Sequence, residues 1–278
     1  TVTTLTGSIT DLNTAYTASA ATGDGISNLG NEAITLSDTS VTDISALTTL
    51  NSNTTGNINA DTVSSFTGSI SDLNTMFAAK AASGDGISFS SSSGAADQTV
   101  TISDTTDVSV TDLNTLNSNT TGNIDATNVT SLASASISDI KTLLTNGNNT
   151  TNNFAATSFQ SLATVAVSGT SISVADLNDS ITQANTATGG TSTVFSVDSG
   201  ATITTGDEAA FTTLLTNEDN GNIAITDQNL TVSSGTISVD NANALNDTTT
   251  GTVTASIATT ETVAVSYTHL TLPTTSCV

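Results

Sequence analysis

Short stretches of the chain place apolar residues at three- and four-residue steps, and each stretch is followed by a polar turn and then by alternating residues. In residues 110–126, Val110, Leu113 and Leu116 have the spacing of one helix face, Gly122 closes a polar run, and a strand-like piece follows. Similar copies end at residues 51–60 and 246–255. The pattern predicts a repeating unit that combines a short helix with short strands.

The repeats are arranged at two scales. Residues 2–14 match residues 63–75 at an offset of 61, and residues 50–60 match residues 116–126 at an offset of 66, so we expect an insertion around residues 89–97. Each long repeat divides in two at a shared mark, an apolar residue followed by Ser or Thr and then Asp, which is looser near the C-terminus. The marks are Asp11, Asp43, Asp72, Asp112, Asp139, Asp176, Asp207 and Asp240. Their mean step predicts a coil of about 33 residues.

Each mark is typical of the start of a helix. The hydroxyl residue before the Asp is expected to be the N-cap, because its oxygen accepts an otherwise unpaired backbone N–H. The expected caps are Thr10, Thr42, Ser71, Thr111 and Ser138. The Asp then lies in the first turn, where the helix dipole favours a negative charge. Helices of two or three turns are not stable alone, so we expect packing to hold them.

Period-2 segments after each helix predict two short strands separated by a polar corner. Neighbouring strands lie about 4.8 Å apart and packed helices about 8–10 Å apart, so two rungs of one sheet per helix would match at about 9.6 Å. We therefore predict an α/β repeat solenoid of about eight coils over residues 1–264, a fragment of a longer chain. The alternative is an all-β solenoid, or β-helix, in which the helix is one loose turn.

Composition narrows the function classes. The chain of 278 residues has 25 acidic residues, no arginine and two lysines, Lys80 and Lys141, giving a net charge of −23. Nucleic-acid binding and binding to anionic lipid need basic clusters, so neither is expected. No run of 18 apolar residues occurs, so membrane insertion is not expected. Such an acidic surface stays soluble in salt and fits a secreted or cell-surface protein.

The last 14 residues differ from the rest. His269, Pro273 and Cys277 are the only residues of their types in the chain, and residues 265–274 resemble a translated sequencing adapter. We expect residues 265–278 to be a non-native tail. Residues 1–264 then lack the His and Cys needed for a Ser-His-Asp triad or a Cys/His zinc site.

Three kinds of site were considered. Acidic turns predict a calcium site, because Ca²⁺ takes six to eight oxygen ligands, and the best candidate residues are Asp24, Asp85 and Asp219. No other cofactor is expected. Thr-x-Thr strands such as residues 202–204 have a form suited to binding ice, but the motif is not regular. Carboxylate pairs for glycoside hydrolysis are expected by chance in so acidic a chain, so no catalytic residue is assigned.

Residues 116–126, 63–68 and 29–38 resemble repeats of very large, acidic surface proteins of marine bacteria, cyanobacteria among them. The resemblance is strong over residues 1–130 and fades beyond Phe154. It implies an extracellular or cell-surface location and a structural or adhesive role, with neighbouring repeats, surface glycans or other surface proteins as partners. We therefore expect a non-enzymatic repeat segment of an adhesin. The alternative is a calcium-dependent module that binds a glycan or a surface partner.

Overall fold

The fold is a mixed α/β arrangement built from repeated strand–helix units. A computed structural model describes residues 2–20, 27–80, 84–89, 97–148, 153–189 and 193–258. These residues form eight helices and four parallel sheets of four strands each. The chain divides into a first unit, Thr1–Val129 with Asn149–Ser158, and a second unit, Thr130–Asn148 with Phe159–Val278.

The first unit contains four helices and two sheets within its described residues. Its elements are β1 (Thr4–Gly7), α1 (Ile9–Ala20), β2 (Ala33–Leu36), β3 (Ser40–Val41), α2 (Ile44–Asn53), β4 (Asn57–Asn59), β5 (Ser65–Gly68), α3 (Ile70–Ala78), β6 (Gly86–Ser88), β7 (Thr99–Ile102), α4 (Val110–Asn119) and β8 (Ile124–Asp125). The strand orders are β1-β2-β4-β6 and β3-β5-β7-β8.

The second unit repeats this plan in its described residues. Its elements are β9 (Ser131–Ser136), α5 (Ile137–Gly147), β10 (Thr164–Ser168), β11 (Ser171–Ser173), α6 (Val174–Ala187), β12 (Val194–Val197), β13 (Thr202–Thr204), α7 (Glu208–Asp219), β14 (Ile223–Ala224), β15 (Asn229–Thr231), α8 (Val239–Thr248) and β16 (Val253–Thr254). The strand orders are β9-β10-β12-β14 and β11-β13-β15-β16.

In every sheet, one helix separates each strand from the next along the chain. A parallel pair requires such a crossover connection, since a tight turn joins only antiparallel strands. The two strands that follow a helix mostly enter different sheets: β2 pairs with β1 and β4, whereas β3 pairs with β5. A coil is therefore one helix with one strand in each of two sheets.

This arrangement corrects the prediction of two rungs of one sheet per helix. Each coil advances a sheet by one strand, about 4.8 Å, while neighbouring helices need about 8–10 Å. The helix spacing and the strand spacing therefore do not match coil for coil. The prediction was wrong because it placed both strands of a coil in the same sheet, whereas they belong to two different sheets.

Alternation along the strands and helical spacing along the helices place the apolar side chains inside. In β2 the residues alternate between exposed and buried, with Ile34 and Leu36 inward. In α2 the inward face is Ile44, Leu47 and Leu50, all at most 2 % exposed. Burying a side chain of this size contributes about 1.5–3 kcal/mol, so these short helices are stabilised by packing.

Four of the five helices with an expected cap begin one residue before it. Ile70, the first residue of α3, is buried, and the serine before it is the cap: Ser69 Oγ accepts a hydrogen bond from the Asp72 N–H at 3.1 Å. The caps identified in the described residues are Asp43, Ser69, Ser109, Ser136, Ser173, Asp207 and Ser238. Thr10, Ser71, Thr111 and Ser138 instead lie second in their helices, and Thr42 precedes Asp43.

The period of the fold agrees with the sequence. The helices of the described residues start about 33 residues apart on average and are 9 to 14 residues long, so the loose-turn alternative does not describe them. None of these helices has the length and apolar character needed to cross a membrane. The predicted tail, residues 265–278, lies outside the described residues.

Candidate functional site

A corner recurs at the C-terminal end of three helices, and we call it the threonine–glycine corner. Its members are Thr54 and Gly56 after α2, Thr120 and Gly122 after α4, and Thr249 and Gly251 after α8. Each threonine is a buried C-cap in extended conformation, and its Oγ accepts a hydrogen bond from the glycine N–H at 2.9 Å. The corner turns the chain from the helix into the next strand.

A backbone carbonyl of the preceding coil completes the corner. Thr54 Oγ donates to the Glu32 carbonyl at 2.8 Å, and Thr249 Oγ donates to the Gln228 carbonyl at 2.7 Å. A β-carbon on Gly56 or Gly251 would overlap the same carbonyl. Glycine is needed at these positions because the backbone of the preceding coil approaches closely. The threonine hydrogen bonds connect consecutive coils.

The residues that supply these carbonyls also bury polar side chains. Gln228 Oε1 accepts the N–H groups of Thr226 and Asp227, and its Nε2 donates to the Val197 carbonyl at 2.9 Å. A buried amide is tolerated when its donors and acceptors are paired in this way. Gln228 therefore fixes its own turn and ties it to the preceding coil.

Glu32 occupies the corresponding position in the first unit as a fully buried carboxylate. Its Oε2 accepts hydrogen bonds from the Tyr16 hydroxyl at 3.0 Å and from the N–H groups of Gly30 and Asn31 at 2.7 and 3.1 Å. Its Oε1 accepts none within the described residues. Burial raises the pKa of Glu32, but the donated hydrogen bonds outweigh it and the net pKa is lowered. Burial, together with the bond to Glu32, raises the pKa of Tyr16.

Many aspartates act at helix N-termini. Asp72 Oδ2 accepts the hydroxyl hydrogen of the Ser69 cap at 2.7 Å, and Asp139 does the same with Ser136. Hydrogen bonds from Ser45 Oγ and then from the Ala46 N–H lower the pKa of the Asp43 cap. These carboxylates are bonded to hydroxyl and amide donors of the same turn.

Other carboxylates reach from one coil to the helix start of a neighbouring coil, either the preceding or the following one. Asp104 Oδ2 accepts the Ile70 N–H at 2.6 Å, and Glu208 Oε1 accepts the Ser238 N–H at 2.8 Å. The Ser238 N–H, followed by the Asn241 side chain, lowers the pKa of Glu208. The Ser199 hydroxyl similarly lowers the pKa of Asp227. Acidic residues at these places satisfy backbone and hydroxyl donors that would otherwise be unpaired.

The predicted calcium residues are not gathered into a centre by the described part of the chain. Asp24 lies outside the described residues. Asp85 is exposed in the first unit between Gly84 and Gly86, and Asp219 is the exposed last residue of α7 in the second unit. Within the described residues, no group of three or more His, Cys, Asp or Glu side chains has the geometry to hold a metal ion.

Lys141 forms two ion pairs with carboxylates of the neighbouring helix. Its Nζ lies 2.6 Å from Asp176 Oδ1 and 2.8 Å from Asp179 Oδ2, so α5 and α6 of the second unit are joined by their side chains. The hydrogen bonds to Asp176 and then to Asp179 raise the pKa of Lys141, and the Lys141 bond lowers the pKa of Asp176. No local sequence pattern singles out this lysine, because its partners lie 35 and 38 residues away.

The chain was also compared with known proteins. No protein-family model, no curated protein and no solved structure matches it.

Proposed function

We propose that the chain is a non-enzymatic structural and adhesive repeat segment of a large extracellular surface protein, in which about eight coils form an α/β repeat solenoid. Its role is mechanical: the stacked coils hold a surface away from the cell and present it to partners. Neighbouring repeats of the same chain are the first partners of each coil.

The observation that carries this proposal is the equivalence of the two units. In each, four helices alternate with the strands of two parallel sheets in the same order. The threonine–glycine corner recurs with the same hydrogen bond to the glycine N–H after α2, α4 and α8. Hydrogen bonds from buried polar groups of one repeat to the adjacent coil favour stacking of the repeats.

The acidic residues support an extracellular structural role in a further way. Carboxylates such as Asp72, Asp104 and Glu208 are used as hydrogen-bond acceptors inside the repeat. The net charge of −23 then keeps a long repeat array soluble and separate in saline water. This use of charge supports the proposed location outside the cell or at its surface.

Small-angle X-ray scattering of the full chain tests the stacked arrangement. A compact globule of 278 residues has a radius of gyration of about 19 Å. An elongated stack of coils should give a larger radius and a skewed distance distribution. A symmetric distribution with a radius near that of the globule would contradict the proposal.

A further inference from the structure

The contact between neighbouring helices follows one rule in three described places and takes a different form at Lys141. In α1, α3 and α6 the fifth residue is Asn, and its Nδ2 donates to the carbonyl of the third residue of the next helix. The pairs are Asn13 with Ala46 at 2.9 Å, Asn74 with Asp112 at 3.0 Å, and Asn178 with Ala210 at 2.9 Å. Lys141 is the fifth residue of α5, and it contacts the third residue of α6, Asp176, through the side chain.

The substitution changes what the surface offers. The asparagine amide donates to a backbone carbonyl, whereas the side chains of Lys141 and its two partners are accessible to solvent. The exposed fraction of the side chain is 36 % for Lys141, 35 % for Asp176 and 60 % for Asp179. A groove of about 410 Å³ lies beside them. It is lined by Ser138, Lys141, Thr142, Thr145, Asn146 and Asp176. A polar groove beside an accessible charged cluster is available for binding.

We propose that this groove, the α5–α6 groove, binds an uncharged saccharide. Its lining mixes acceptors, donors and groups that do both: the Asp176 carboxylate accepts, the Lys141 ammonium donates, and the hydroxyls do either. Sugar hydroxyls require such a mixture. The volume lies within the range of small-ligand sites, about 300–1,000 Å³.

The charges of the cluster argue against a charged ligand. Lys141 is surrounded by two carboxylates, so an anion meets net negative charge here and on a chain of net charge −23. A cation would have to displace Lys141 from carboxylates that it already contacts at 2.6 and 2.8 Å. No aromatic side chain lines the groove, so binding lacks stacking and should be in the millimolar range. The inference deepens the proposed adhesive role and rests on it.

The test is a titration of the ¹⁵N-labelled full chain with three neutral trisaccharides, maltotriose, cellotriose and triacetylchitotriose, each up to about 50 mM. We expect saturable shifts of the amides of Ser138, Thr142 and Asp176 with at least one of them. The equivalent interface between α6 and α7, where Asn178 follows the rule, should not respond. A basic peptide and glucuronate serve as charged probes.

Three variants make the titration decisive. Lys141→Asn restores the repeating contact and should leave the protein folded while weakening binding at least about fivefold. Thr145→Val in the groove should weaken binding, whereas Thr213→Val, at an exposed position of α7, should not. The proposal is overturned if no trisaccharide gives saturable shifts, if the Asn and Val variants at Lys141 and Thr145 bind as before, or if only a charged probe binds. If the saccharide proposal fails in one of these ways while the small-angle scattering still fits a solenoid, the proposed structural role is unaffected.

Discussion

At the threonine–glycine corner, the glycine is required for space. A β-carbon on Gly122 would overlap the carbonyl oxygen of Gln98, which belongs to the rigid backbone before β7. Gly7, at the end of β1, is different, because its added β-carbon would meet Leu12 Cγ at an ordinary 3.6 Å. The two glycines therefore form a matched pair for substitution.

We expect Gly122→Ala to lower the free energy of unfolding by about 2–3 kcal/mol, because the backbone must shift to relieve the overlap. Gly7→Ala should change it by about 0.5 kcal/mol or less. Urea unfolding followed by circular dichroism measures both. Equal effects of the two substitutions would mean that the close approach of the carbonyl does not constrain Gly122.

The cap serines give a second test at the scale of single residues. Ser69 Oγ accepts the Asp72 N–H, whereas Ser71 lies second in the same helix. Ser69→Ala should cost about 1 kcal/mol of stability. Ser71→Ala should be neutral or slightly stabilising, since alanine has the higher helix propensity. Thermal unfolding distinguishes the two variants. A larger loss of stability for Ser71→Ala than for Ser69→Ala would favour Ser71 as the N-cap, as the Asp marks predicted.

At the scale of elements, neighbouring helices are joined by asparagine side chains, and Asn178 is the buried example. Asn178 of α6 donates to the Ala210 carbonyl of α7, and its Oδ1 accepts from Asn217 Nδ2 at 3.0 Å. We expect Asn178→Ala to cost about 1–3 kcal/mol, because it leaves buried polar groups unpaired. A double-mutant cycle with Asn217→Ala should give a coupling of at least about 0.5 kcal/mol, and additive effects would show that the two side chains do not act together.

The sequence predicted the elements better than their contacts. The helical spacing of Val110, Leu113 and Leu116 and the recurring Asp marks gave the helices and the period of about 33 residues. They did not give the caps, because burial of Ile70 places the helix start one residue before the serine that looked like a cap site. The partners of Lys141 and the carbonyls above the corner glycines depend on residues one coil away. No local pattern records such contacts.

At the scale of the whole molecule, charge sets the response to pH. The pKa values of Glu32, Asp43, Asp176, Glu208 and Asp227 are lowered by hydrogen bonds or, for Asp176, by Lys141. The stability they contribute is present above the unfolded pKa values of about 3.9–4.3 and is lost as pH falls through the lower folded values. The pKa values of Tyr16 and Lys141 are raised, so their contribution is present below about pH 10 and is lost as pH rises beyond it.

We therefore expect urea midpoints to stay level from about pH 5 to 9 and to fall on both sides, measured at high salt so that general repulsion between carboxylates is screened. Glu32→Gln should reduce the acid-side loss, because the amide oxygen can keep the bonds from Gly30 and Asn31 without titrating. Midpoints that rise steadily down to pH 3 would contradict the assignment of these carboxylates as structural acceptors.

The most direct measurement compares thermal unfolding of the full chain in millimolar calcium and in chelator, with ionic strength matched by NaCl. If the acidic residues serve the fold, the two curves should have the same midpoint, because the carboxylates are already bonded to hydroxyl and amide donors. If a calcium site is present and free Ca²⁺ is at 100 times its Kd, the free energy of unfolding should increase by about 2.7 kcal/mol. The midpoint should then rise by roughly 5–10 °C. A shift of that size would contradict the structural account and make the calcium-dependent module the better description.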